Sequence, residues 1–248
     1  MKNIFKVFII SLISAQSYGQ IMAGQIIYER KEDWIKKMSK ATYLSQEEKD
    51  RMSQTWKNDE EYIQKMVLTF TPNQSHYTYE NQTQTSPDGT YTWRADDYII
   101  TRDFEKSTLL EYKEMLAKSH LVTDSLNAPK WKILNQIKEV AGYICMKAST
   151  YDPVKEQEIV AWFSTDLPVS IGPEEYYGLP GAILELSVDN DAVRTTATSV
   201  IPNKDQVLPA LPKKMKGKKV DVKTQGELIL KYRKEQESLH RFPWAVRY

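Results

Sequence analysis

Between residues 61 and 201, apolar and polar positions alternate in short runs, the pattern of half-buried strands rather than of helices. Runs at 24–28, 62–71, 75–80, 91–94, 98–104, 131–134, 136–140, 143–149, 159–164, 182–188 and 193–201 each read as a strand. Turn-forming residues separate them: Pro72-Asn73, Pro87-Asp88-Gly89, Ala141-Gly142, Asp152-Pro153 and Asp189-Asn190-Asp191. Residues 109–120 fit either a helix or a strand pair, and their neighbours favour strands. Sequential hairpins without intervening helices predict a mainly β fold, an antiparallel meander curved by glycines into a half-barrel or bowl. Helical spacing appears at Trp34, Ile35 and Met38, and again at Met52 and Trp56 behind the capping box Ser45-Gln-Glu-Glu48. A second box, Thr224-Gln-Gly-Glu227, is expected to open a helix carrying Leu228, Ile229 and Tyr232. These helices are the expected cover of the sheet.

The same pattern divides the chain. Lys2 and Lys6, the apolar run 7–13 and Ser17-Tyr18-Gly19 read as a secretory signal peptide over 1–19, cleaved near Gly19. That run is far shorter than a membrane span needs. No cysteine follows it, so no lipoprotein anchor is expected. Residues 20–201 form the β domain with its N-terminal helical region. Residues 202–219, with Pro202, Pro209, Pro212 and a lysine run from Lys213 to Lys219, read as an extended arm. Residues 220–248 read as a helix and tail, with Phe242-Pro-Trp-Ala-Val tying the tail back onto the body.

One loop stands out from this alternation. Three of the nine glycines, Gly172, Gly178 and Gly181, lie within ten residues, among Pro168, Pro173 and Pro180. Gly178-Leu-Pro-Gly181 sets one residue of fixed φ between two that can adopt positive φ, so the loop should hold a single shape and act as the corner of the fold. Trp162, Tyr176 and Tyr177 flank it. With Gly178, Leu179, Pro180, Gly181 and Glu185 they form the candidate ligand-binding set, a cleft for a peptide, glycan or apolar molecule. Packing of the loop onto the sheet is the competing role for the aromatics. Glu185 alternates out of phase with Leu184 and Leu186, so it faces solvent or a cavity. Glu174 and Glu175 read as exposed loop residues.

The peptide G-L-P-G-A-I-L-E-L at 178–186, preceded by A-W-F at 161–163 and G-P-E-E-Y-Y at 172–177, resembles the signature of the GLPGLI family of secreted Bacteroidetes proteins. Ala182 stands where the family name has leucine. The resemblance extends to Trp131-Lys-Ile, to residues 142–148 and to the helical stretch after Thr224. It implies a fold similar to the bowl-like N-terminal domain attached to some bacterial peptide N-glycosidases. It also implies genes that neighbour TonB-dependent outer-membrane receptors. The family has no established activity, so no catalytic residue is carried over.

Composition narrows the chemistry. With 34 basic and 33 acidic side chains the net charge is +1, and no global field draws the chain to nucleic acid. A hydrophobic share of 41% and a charged share of 27% are those of an ordinary globular chain. The lone Cys145 precludes an intramolecular disulfide and, lying between Ile144 and Met146, is expected to be buried. His76, His120 and His240 lack ligand spacing, so neither a metal nor a cofactor is expected. There is no G-x-S-x-G elbow and no phosphate-binding glycine spacing. The lysine run reads as a solvated arm, with anionic head groups as the alternative contact. The reading is a non-enzymatic, exported binding or accessory protein, periplasmic, outer-membrane associated or secreted, with a TonB-dependent receptor as the partner that the resemblance implies. Two alternatives stand beside it. One is a hydrolase of peptide or glycan using Cys145 or Glu185; the other is a carrier holding an apolar chain in the bowl.

Overall fold

The structure, a computed structural model, describes residues 23–56, 63–86 and 89–248. The expected signal peptide, Tyr62, the Trp56 side chain and Pro87-Asp88 lie outside the described residues. In chain order the elements are β1 (Gly24–Glu32), α1 (Trp34–Ser39), α2 (Gln46–Trp56), β2 (Ile63–Phe70), β3 (Gln74–Tyr79), β4 (Thr83–Thr85), β5 (Thr92–Arg94), β6 (Tyr98–Asp103), β7 (Thr108–Met115) and β8 (Lys118–Ser125). There follow β9 (Lys132–Val140), β10 (Tyr143–Asp152), β11 (Gln157–Ser164), β12 (Ala182–Val188), β13 (Val193–Pro202), β14 (Lys218–Val220) and α3 (Val222–Ser238). The predicted β class holds.

Twelve strands form one sheet in the order β14-β8-β7-β6-β3-β2-β1-β13-β12-β11-β10-β9, with β4 and β5 a separate pair. It is two meanders sharing β1, which pairs antiparallel with both β2 and β13. Only β14 runs parallel to its neighbour, β8. Residues 126–131 carry the chain from β8 to β9, ten strand positions away. Flat, those positions would lie about 48 Å apart at roughly 4.8 Å per strand. A link of that length reaches no more than about 25 Å at roughly 3.6 Å per residue. The sheet must therefore roll up. Its end strands β14 and β9 are not paired to each other, so the roll stays open.

Local chemistry fits this shape. Leu116 and Ala117 both adopt positive φ (55° and 57°), giving the β7–β8 hairpin the tight turn that matches strand twist and resolving 109–120 as β. The first capping box forms as expected: Glu48 accepts from the Ser45 N–H at 2.8 Å and Ser45 Oγ accepts from the Glu48 N–H at 3.3 Å. The second does not. Asp221 caps α3 by accepting from the Thr224 N–H at 2.7 Å, so the helix opens one turn earlier than Thr224-Gln-Gly-Glu227 predicted. An aspartate three residues upstream satisfies the same free N–H groups. The tail folds back as expected, with Phe242 buried against Met38, Ala41 and Leu44.

Register brings one face of the sheet together. Arg30, Thr195, Leu186, Ala161 and Ala148 follow one another across β1, β13, β12, β11 and β10. On the other arm Leu68, Tyr77, Ile100, Glu111 and Val122 form a row of the same kind. Every member of both rows is buried. The Gly/Pro loop packs against most of both rows, and α3 covers the β7–β8 end, where Gln225 donates to Glu111.

Candidate functional site

Residues 165–181 do not skirt the corner; they fill the bowl. Leu167, Val169, Ile171, Tyr176, Tyr177 and Leu179 are all buried, and so are Gly172, Pro173 and Glu174. The loop pairs with β12 through Leu167 O, which accepts from the Ala182 N–H, and Ile171 O, which accepts from the Ile183 N–H, both at 2.9 Å. Trp131 Nε1 donates to Tyr177 O at 2.8 Å, and the Tyr28 hydroxyl donates to Ile183 O at 2.6 Å. Arg102 donates to the carbonyls of Gly172 and Glu174 and lies over the Tyr177 ring at 4.8 Å. Gly178 has φ +92°, the positive value expected of it. Gly181 does not need positive φ; it is required because a Cβ there would lie 2.6 Å from the Ser164 carbonyl carbon.

The exposed-loop expectation for Glu174 and Glu175 is overturned. Glu174 accepts from the hydroxyls of Tyr77 (3.1 Å) and Tyr98 (2.5 Å) and from Nε and Nη2 of Arg247 (3.0 and 2.8 Å). Arg30 Nε stands 3.3 Å away as a second cation. Burial alone would raise this carboxyl; Arg247 and Arg30 outweigh it and hold Glu174 at about 2. Glu175 pairs with Lys113 and, at 3.1 Å, with Lys155. Burial opposes its charge, but the two lysines hold it well below the usual carboxylate range. Lys113 also lies 2.8 Å from Glu111. A carboxylate whose lone pairs are saturated by four donors is an anchor, not an acid–base catalyst.

The predicted binding residues fall into three groups. Tyr176, Tyr177 and Leu179 are inside with the loop, and Gly181 is buried beside Ser164. Gly178 and Pro180 are exposed at its edge. Trp162 and Glu185 pair across the β11–β12 ladder, one position out of phase with the inward-facing Ala161 and Leu186. There Glu185 binds Lys138 at 2.6 Å, and the Lys138 ammonium sits 4.5 Å from the Trp162 ring centre. Cys145 is buried, and burial pushes its thiol up to about 11. A native sample should therefore resist maleimide at neutral pH and react fully only in denaturant; rapid native labelling would contradict this placement.

Sequence reasoning missed the ionic anchor, although a signal existed. Arg30 is in phase with Ile26 and Tyr28, and Arg102 with Tyr98 and Ile100, so charges occupy the apolar face of two strands. Interior space is scarce. Cavities beside Glu174 and Glu175 measure about 10 and 20 Å³, room for roughly one water each. The larger spaces are peripheral. One of about 350 Å³ is bordered by Tyr79, Asp96, Glu114 and Trp244, and one of about 180 Å³ by Lys40, Tyr43, Arg233 and Tyr248. In the first, burial and the neighbouring Asp96 carboxyl raise Glu114. No set of three His, Cys, Asp or Glu side chains converges as a metal site among the described residues. No helix there is long and apolar enough to cross a membrane.

Fold and site together define an open antiparallel bowl plugged by its own loop. The family described as "Protein of unknown function (Porph_ging)" matches residues 152–185, the stretch from the end of β10 through the plug into β12. No curated protein matches the chain. Among solved structures it is similar to PNGF-II in the C2 space group, with a TM-score of 0.52 at 14% identity. PNGF-II in the P21 space group gives 0.51, also at 14% identity. The alignments cover 84 and 85% of this chain but 33% of each PNGF-II chain, so the chain spans about a third of those structures. At that identity the likeness is one of fold.

Proposed function

We infer that the chain is a non-catalytic, exported accessory protein of the GLPGLI type, working at the outer membrane through its outer surface. One observation carries this reading: among the described residues, the bowl is occupied by residues 165–181 and held by ionic anchors, so its interior is filled by the chain's own side chains. Against the carrier alternative, which requires an apolar trough, stands the packing of Leu167, Val169 and Ile171 into the bowl's own core. The partner favoured by the family resemblance is a TonB-dependent receptor. Support for a surface contact comes from Ile133, Ile137 and Ile144, which stand 54–71% exposed on β9 and β10. Affinity purification of the tagged chain from detergent-solubilised outer membranes should recover such a receptor, and I137D/I144D should lose it while keeping the wild-type melting curve. Recovery of no membrane protein would sink the reading.

The hydrolase alternative loses its first candidates, since Cys145 is buried and Glu185 is bound to Lys138. What favours it now is the Asp96–Glu114 carboxyl pair in the 350 Å³ cleft, with Tyr79 and Trp244 at its edge. Hydrolysis of a glycan or peptide, abolished in E114Q, would establish it in place of the accessory role.

A further inference from the structure

The arm between β13 and α3 is not a loose tether. Its end enters the sheet as β14, with Lys218, Lys219 and Val220 opposite His120, Leu121 and Val122 of β8. The Tyr112 hydroxyl donates to Lys216 O at 3.3 Å, and the Val222 N–H donates to Asp124 Oδ2 at 3.1 Å. Gly217 lies so close to β8 that a Cβ would meet Ser119 O at 2.9 Å. From Lys216 onward the lysine run is thus fixed to an edge of the scaffold, and Lys213 and Lys214 lie directly before it.

Residues 204–223 carry seven lysines against two aspartates, in a chain whose net charge is +1. The rest of the molecule is therefore net negative, and positive charge is concentrated in this segment, with five of the seven lysines at 213–219, the stretch that leads into and forms β14. Lys204, Lys213, Lys214, Lys216, Lys218, Lys219 and Lys223 are all exposed. Among the described residues, none of their ammonium groups lies within 4.0 Å of a carboxylate, whereas Lys37, Lys113, Lys138 and Lys155 all have acidic partners. Lys218 and Lys219 on β14 are enough to discourage strand addition; the other five lie outside that strand and exceed that need. Val207, 78% exposed, and Leu211, 37% exposed, lie in the same segment.

We propose that this edge is a docking surface for an anionic lipid bilayer, the lysines meeting head-group phosphates and Val207 and Leu211 entering the interface. Clusters of four to eight lysines beside apolar side chains bind such surfaces, each lysine strengthening binding on the order of fivefold. Attraction of this kind is screened over about 8 Å at physiological salt. The proposal rests on the arm's charge and geometry, not on receptor partnership, and protein-free vesicles separate the two.

The test is sedimentation of the chain, residues 20–248, with vesicles of 30% phosphatidylglycerol in phosphatidylcholine and with vesicles of phosphatidylcholine alone. Binding is expected to the anionic vesicles only, and to disappear in 0.5 M salt (roughly a 4 Å screening length). K213Q/K214Q/K216Q should weaken it on the order of 100-fold. K130Q/K132Q/K234Q, which removes equal charge elsewhere, should leave it within about twofold. Thermal melts of both triples guard against misfolding. Equal binding to neutral vesicles, equal loss in both triples, or tighter binding to a single-stranded oligonucleotide than to the anionic vesicles would each overturn the proposal.

Discussion

Replacing Glu174 with glutamine lowers the melting temperature by roughly 10 °C. The substitution keeps the shape but removes the charge that faces Arg247 and Arg30. Leaving buried cations without their carboxylate costs on the order of 3–5 kcal/mol. Each kcal/mol shifts the melting point of a chain this size by about 2–4 °C. The pH dependence has a definite sign. Glu174 is held at about 2, below its ordinary value, so it binds its proton less readily when folded. The stability it contributes is present above the ordinary carboxylate value near 4.5. It is lost as pH falls from there towards 2, by on the order of 3 kcal/mol. Calorimetry between pH 7 and pH 2.5 should show the wild type losing stability faster than E174Q, so that their curves converge. The double variant E174Q/R247Q should cost less than the sum of its parts. A shift below about 2 °C for E174Q, with parallel pH curves, would show that the anchor is ornamental.

The second large effect belongs to Gly181. An alanine methyl there would press on the backbone of Ser164 and Thr165, which pairs with β12 and has nowhere to move. Overpacking against backbone costs about 1–3 kcal/mol, and G181A belongs at the upper end. Pro180, one residue away and exposed, tolerates alanine at under about 1 kcal/mol. Urea denaturation of the two variants measures the contrast. Equal midpoints would mean that the loop adapts and the close approach is not required.

What could be read from the sequence was local. Most of the strand runs, the 24–28 start and the Ser45 box depend on neighbours within a few residues and lie where the pattern placed them. The runs 131–134 and 136–140 prove to be the single strand β9, β4 and β14 carried no such pattern, and the Gly/Pro loop fills the bowl instead of forming its corner. The sheet order was out of reach, because the β1–β13 pairing joins residues more than 150 apart and leaves no local mark. The Glu174 anchor failed for the same reason. A glutamate beside Pro173 looks solvated until Tyr77, Tyr98, Arg30 and Arg247 arrive from four distant segments. Asp221 was overlooked for a different reason: two acceptable caps stood three residues apart, and periodicity alone does not choose between them.

Burial of the loop also explains why the conspicuous residues are a poor guide to binding. Tyr176 and Tyr177 look like cleft aromatics in the sequence, yet Tyr176 packs against Trp131 and the β10–β13 core, and the Tyr177 ring lies against Phe104 and Arg102. Among the described residues, the surfaces open to recognition include three: the β9–β10 isoleucines, the acidic cleft at Trp244 and the lysine-rich segment ending at β14. All three lie outside the plug.

Amide hydrogen exchange across 165–183 addresses that plug directly. The N–H groups of Ile171, Gly178 and Ile183 are bonded within the loop or to it. They should exchange as slowly as those of β12, opening only with global unfolding. Exchange of these amides within seconds, while β11 and β12 stay protected, would mean the loop leaves the bowl freely and the interior is open after all.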